Sequence, residues 1–327
     1  MRRKKLIKRL GLSALIILLF TVPLFIRGPY QLHIIVMAGI AVILTSSLRL
    51  IFNSGELSLA QGGMMTLGAY TSALLVMKLG WSSWAAMGAA AAAAAILALL
   101  VGFPFVRLKG IYFSLVTVFF AEVIRLIAEQ WRSVTGGSLG ISNIPTPDPI
   151  VIPGLLNIKI ADKADFYYLA LVLVLFTLLI LYALEHSRVG LTWFSIRESD
   201  FLAESIGVNT ARYKVLAFCI GSLFAGLAGG LYSQYNSVIT PSAFGFIYAV
   251  YGVIYMIVGG ARKFSGPIIG AVILTFVPET ARALKGYQPY IFAVVLILVI
   301  LFLPEGVVSL PERIKEFIKR RRSYAQN

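Results

Sequence analysis

Apolar residues fill the chain in long blocks separated by short polar intervals. The blocks fall at roughly 10–26, 31–51, 63–79, 84–105, 111–131, 166–184, 213–234, 244–261, 266–281 and 289–303. Most approach the ~20 residues a helix needs to cross the hydrocarbon of a bilayer. Only helices and closed barrels satisfy the backbone in lipid, and blocks of this length mean helices. The pattern predicts an all-α fold, a polytopic transmembrane helical bundle of about ten spans over residues 10–303, with basic tails at 1–9 and 304–327. The first block follows Arg2, Arg3, Lys4, Lys5, Lys8 and Arg9. It is long for a secretory signal, Pro23 interrupts its end and no A-x-A site follows, so it reads as a retained span.

The polar intervals set the orientation. With the N-terminus cytoplasmic, segments 1–9, 49–62, 106–110, 185–214, 262–265 and 304–327 lie inside and carry 21 of the 29 Lys and Arg. Basic residues collect on the cytoplasmic side, so both termini are expected there. Composition agrees: 59% of the 327 residues are hydrophobic, 13% are charged, and the mean hydropathy is +0.87. The net charge of +15 does not signal nucleic acid, because the basic residues sit in loops and tails beside apolar blocks. Cys219 is the one cysteine and lies in an apolar block, so there is no disulfide framework. His33 and His186 lack partners at metal-ligand spacing, and no GxxxxGK[ST] marks a P-loop. No Ser/His or paired-carboxylate constellation suggests an intramembrane enzyme.

Four intervals carry candidate chemistry. Within the cytoplasmic loop 185–214, the stretch 197–213 (RESDFLAESIGVNTARY) carries helix signals. Ser199 or Asp200 can cap a short helix, Phe201, Leu202, Ser205 and Ile206 line one narrow side, and Gly207 can end it in the left-handed conformation. Two turns are too short to stand alone, so something must hold the helix, and it reads either as docked on a soluble partner or as an interfacial loop helix with no partner. Residues 53–70 are not a clean span: Glu56, Ser58 and Gln61 are polar, and Gly55, Gly62, Gly63 and Gly68 loosen the backbone. They read either as a re-entrant passage into the third span or as an ordinary turn.

The fifth block carries Ser114, Glu122, Arg125 and Glu129 on one face, with Glu122 near mid-membrane. Two charges there cost about 5–7 kcal/mol on the insertion scale, so this face should turn into protein. It reads as a substrate or ion pathway or as an intrahelical Glu–Arg pair that locks neighbouring helices. Residues 132–165 form the external loop, with a short strand pair around 150–160. Ala89–Ala95, Gly226-x-x-x-Gly230 and Gly266-x-x-x-Gly270 are close-packing features. The tail over 311–322 can form a basic helix on anionic lipid.

RLKGIYFSLVTVFFAEVIRL (107–126) followed by TGGSLGISNIP (135–145) resembles the permease of branched-chain amino acid ABC importers, specifically the M-type subunit of the Liv system. GELSLAQGGMMTLGAY (55–70), AESIGVNTARYKVLAF (203–218), LAGGLYSQYNSVITP (227–241) and IVGGARKFSGPIIGA (257–271) extend the likeness over roughly 35–310. Gln61 stands where many relatives carry His, and Met64 and Met65 replace aromatic residues.

The resemblance implies a multi-pass subunit of a bacterial inner-membrane importer. It would pair with a second homologous permease, two cytoplasmic ATPase subunits and an extracytoplasmic substrate-binding protein. ATP and Mg would be used by the ATPase subunits, with no cofactor bound by this chain. Asp200, Phe201, Leu202, Glu204, Ile206 and Gly207 would form the ATPase-coupling helix. Ser58, Gln61, Ser114, Glu122 and Arg125 are candidates for the translocation path. Urea and short-amide importers use similar permeases. An ion-coupled secondary transporter built on Glu122 is the rival class, and a faint likeness between 62–70 and 265–273 hints at the internal repeats such carriers have.

Overall fold

The computed structural model describes residues 17–26, 28–152, 156–158, 160, 162–280, 288–303 and 305–310. The expectations for the tail at 1–9, the start of the first block and the basic helix at 311–322 fall outside them. Residues 17–25 are helical. The helices that follow are α1 (Pro29–Phe52), α2 (Gln61–Leu79), α3 (Ser83–Phe105), α4 (Ile111–Gln130), α5 (Lys163–Glu185), α6 (Arg188–Glu198), α7 (Asp200–Ser205), α8 (Thr210–Asn236), α9 (Phe246–Gly259), α10 (Ser265–Thr280) and α11 (Gln288–Phe302). Every apolar block from 31–51 onward coincides with a helix. Among the described residues, six segments are long and apolar enough to cross a membrane: α1, α3, α4, α5, α8 and the Pro241–Gly259 stretch that contains α9. Helix α6 was not foreseen, because its mixed composition shows no apolar block.

Helix α8 is the hub and packs against α3, α2 and α1. Small side chains permit the close approach. A Cβ added at Gly68 would lie 2.2 Å from the Gly226 carbonyl oxygen, and one at Gly226 would lie 2.6 Å from that of Ala90. The alanine run and the Gly226 motif thus pack α3, α2 and α8 together, as expected. Gly266 and Gly270 do the same for α10 on α9: a Cβ at Gly270 would lie 1.9 Å from the Tyr255 oxygen. Gly63 and Gly68 do not loosen the third block. They lie inside α2, pressed on α4 and α8 respectively.

At one end of the bundle, the strand β1 (Ile141–Ser142) pairs antiparallel with β4 (Val238–Ile239). The hairpin β2 (Ile150–Ile152) and β3 (Leu156–Ile158) pairs Ile150 with Ile158, where the strand pair was expected. The Asp148 carboxylate accepts a 2.6 Å bond from the Ser83 N–H and so ties the loop to the start of α3. At the opposite end, Arg49 grips Glu185 through two bonds of 2.6 and 2.8 Å. Arg49 also donates to the Ala261 and Arg262 carbonyls at 2.9 and 3.2 Å. One buried guanidinium thereby fastens α1, α5 and the α9–α10 turn. The planar fork suits this work, since it donates to several acceptors at once.

Candidate functional site

After α1 the backbone turns at 53–55 and is irregular over 56–59 before α2 begins. Asn53, Ser54, Glu56, Ser58 and Ala60 are all buried. This irregular backbone is held by hydroxyls of α4. Ser114 Oγ donates to the Leu57 carbonyl at 2.7 Å, and the Leu59 N–H donates to Thr117 Oγ1 at 3.0 Å. One turn further along α4, a Cβ at Gly63 would lie 2.6 Å from Ala121 Cα. The segment therefore climbs the first two turns of α4, and the first turn of α2 reaches its middle. Ala121 lies about 15 Å along α4 at 1.5 Å per residue, half the length of that bilayer-length helix. The irregular stretch itself is held as far as Thr117, about 9 Å along α4, and such backbone is tolerated because it is enclosed by protein.

Helix α7 forms where its signals placed it. Ser199, rather than Asp200, is the cap: its Oγ accepts from the Leu202 N–H at 3.3 Å. Gly207 has φ +87° and ends the turn. The helix turns its apolar residues outward, with Phe201, Leu202 and Ile206 at 78%, 64% and 78% exposure while Ala203 is at 3%. Its own chain helps to hold it, which the sequence reading did not anticipate. Lys214 Nζ donates to Asp200 Oδ2 at 2.6 Å and to Glu56 Oε1 at 2.7 Å. Thr210 Oγ1 donates to Glu204 Oε1 at 2.6 Å. Burial pushes the Glu56 carboxyl above its ordinary range, and Lys214 pulls it partly back. Nearby, Arg197 donates to Asn53 Oδ1 at 3.3 Å and stacks over Phe52 at 4.3 Å. The sequence signal for Lys214 is its place as a cation at the start of an apolar block, with Glu56 a carboxylate in an otherwise apolar setting.

Arg125 binds two carboxylates of its own helix, Glu122 at 2.6 Å and Glu129 at 2.5 Å. All three side chains are partly exposed, at 19% for Arg125, 35% for Glu122 and 31% for Glu129. Ser114 thus holds the Leu57 carbonyl beside Ser58 and so steadies the stretch that leads to Gln61, while Glu122 and Arg125 lie beyond Ala121 on α4. None of these five lines the cavity of about 160 Å³ between α1, α9 and α10, whose wall includes Leu44, Thr45, Tyr248, Tyr251, Tyr255 and Thr275.

Residues 30–304 match the family model described as branched-chain amino acid transport system / permease component. The chain belongs to this permease family. It is 30% identical over 322 residues to the high-affinity branched-chain amino acid transport system permease protein LivM of Salmonella typhimurium, covering 93% of this chain and 75% of that one. It is 31% identical over 131 residues to LivH of Escherichia coli, another permease protein of that system, covering 39% of this chain and 42% of the relative. The guanosine ABC transporter permease protein NupQ of Bacillus subtilis is 26% identical over 202 residues, covering 55% of this chain and 59% of that one. No solved structure matches. The chain is a multi-pass membrane protein and a permease component, and its relatives are transport subunits rather than enzymes.

Proposed function

We propose that this chain is the M-type permease subunit of an importer for branched-chain amino acids in a bacterial inner membrane. It has about ten spans and both termini in the cytoplasm. It lines the translocation path together with a second homologous permease subunit. Two ATPase subunits bind ATP and Mg on the cytoplasmic side, and a binding protein delivers substrate from outside. The observation that carries this reading is α7: an apolar face of Phe201, Leu202 and Ile206 turned out of the fold, on a helix fastened to the bundle by Lys214. An exposed apolar face on a two-turn helix suits insertion into a cleft of an ATPase. Its fastening gives closure of that cleft a route into the spans, through Lys214 to Glu56 and the segment that climbs α4.

Similarity to LivM favours the amino-acid substrate, while the similar NupQ is a guanosine permease and supports a nucleoside as the second reading. Mild-detergent affinity purification of the chain from its own host, with mass spectrometry of what accompanies it, tests the assembly. A second permease and P-loop ATPases are expected. A chain that emerges alone or as a homodimer contradicts the reading and favours an ion-coupled carrier built on Glu122.

A further inference from the structure

Helix α2 begins inside the protein without a cap. Ala60 precedes it and has no side-chain acceptor to offer. The N–H groups of Gln61, Gly62 and Gly63 meet no acceptor among the described residues. The first bond back to Ala60 is made by Met64, at 2.9 Å. Gln61 is 2% exposed, and neither its Oε1 nor its Nε2 has a partner among the described residues. Fully buried Ser58 accepts from the Ala60 N–H at 3.2 Å, and its own proton has no acceptor among the described residues.

Each buried polar group left unpaired costs roughly 1–3 kcal/mol. A start of α2 that gathers several therefore points to a ligand that answers them. The free N–H groups of a helix terminus carry about half a positive charge, and such a terminus receives anions. The second, independent sign is the Gln61 amide, a donor and an acceptor together at that same terminus. Depth adds a third argument. This terminus lies beside Ala121, midway along α4, where half-helix ends serve substrates in other membrane carriers. Arg125, one turn beyond Ala121, is already engaged by Glu122 and Glu129 and does not compete for an anion.

We propose that the N-terminus of α2, with the Gln61 amide and the Ser58 hydroxyl, binds the carboxylate of a zwitterionic amino acid in transit. The N–H groups of residues 61–63 and Gln61 Nε2 donate to the carboxylate, and Gln61 Oε1 accepts from the substrate ammonium. A neutral amide answers both ends of a zwitterion without a fixed charge, which suits a site that must release its cargo. This inference rests on the permease reading above.

The test uses the purified complex of this chain with its copurifying subunits. Binding of labelled leucine is competed with leucine and with leucinamide, which lacks the carboxylate, and uptake of leucine is measured in proteoliposomes. Leucine should compete at least tenfold better than leucinamide with the wild type. That preference should collapse in Gln61→Glu, which is nearly isosteric and opposes the carboxylate, and should fall in Ser58→Ala. The ratio is insensitive to loss of folded protein, so a merely destabilised variant keeps it. An unchanged preference in both variants, or no preference in a wild type that transports leucine, overturns the site alone. A wild-type complex that moves no branched-chain amino acid overturns the permease substrate reading and the site with it.

Discussion

Lys214 Nζ lies 2.7 Å from Glu56 Oε1, joining residues 158 positions apart in sequence. The same ammonium reaches Asp200 at 2.6 Å. One cation thus serves two carboxylates, one on the segment that climbs α4 and one at the start of α7. Removing it should do far more harm than removing either partner. Lys214→Met leaves two carboxylates uncompensated, Glu56 almost wholly buried, and should cost about 3–5 kcal/mol. Glu56→Gln leaves Lys214 with Asp200 and should be much milder. Thermal unfolding of the purified complex checks the order. Equal losses in the two variants would remove Lys214 from its central place.

A second prediction concerns packing. Gly68→Ala puts a methyl 2.2 Å from the Gly226 carbonyl oxygen and forces α2 from α8, so folded yield should fall sharply. Gly88→Ala on α3 meets nothing within 4 Å among the described residues. That substitution should be neutral or stabilising by up to ~1 kcal/mol, since alanine is the better helix former. The pair is read by size-exclusion yield at fixed expression.

Much of this fold was legible in the chain. The helices follow the apolar blocks, the Ile150–Ile158 hairpin appeared as a strand pair, and Ser199 and Gly207 bounded α7. These features are written locally, in side-chain polarity, caps and left-handed glycine. What remained hidden depends on pairs distant in sequence. Nothing near Glu56 announces Lys214, and nothing near Gly68 announces Gly226. Nothing near Leu57 and Leu59 announces Ser114 and Thr117, whose hydroxyls hold them from a helix 57 and 58 positions later. Gln61 was visible as a polar residue in an apolar setting. That its amide is enclosed at a helix start and has no partner among the described residues is a tertiary fact.

The charged face of α4 offers a further test. Arg125 is shared by Glu122 and Glu129, so Arg125→Gln strands two carboxylates while Glu122→Gln leaves the Glu129 bond in place. Stability should fall more for the arginine variant. The double variant separates a structural pair from a pathway. If stability and uptake recover together in the double variant, the pair is structural; uptake that stays low while stability recovers marks a role in transit.

Retention of the α1–α5 clamp should depend on the guanidinium and not on charge alone. Arg49→Lys keeps the cation but loses the fork on Glu185 and the bonds to Ala261 and Arg262. A loss of about 2 kcal/mol or more in unfolding experiments is expected, of the order of a broken buried network. Wild-type stability in this variant would show that a point charge suffices.

The outward apolar face of α7 is proposed to pass the ATPase stroke to the bundle. Leu202→Glu and Ile206→Glu place charge on that face, at residues 64% and 78% exposed, where the fold itself tolerates it. The measurement is ATP-driven uptake of labelled leucine, with membrane insertion quantified on the same cells. The account predicts normal insertion of both variants and uptake reduced at least tenfold. Normal uptake in both would contradict it.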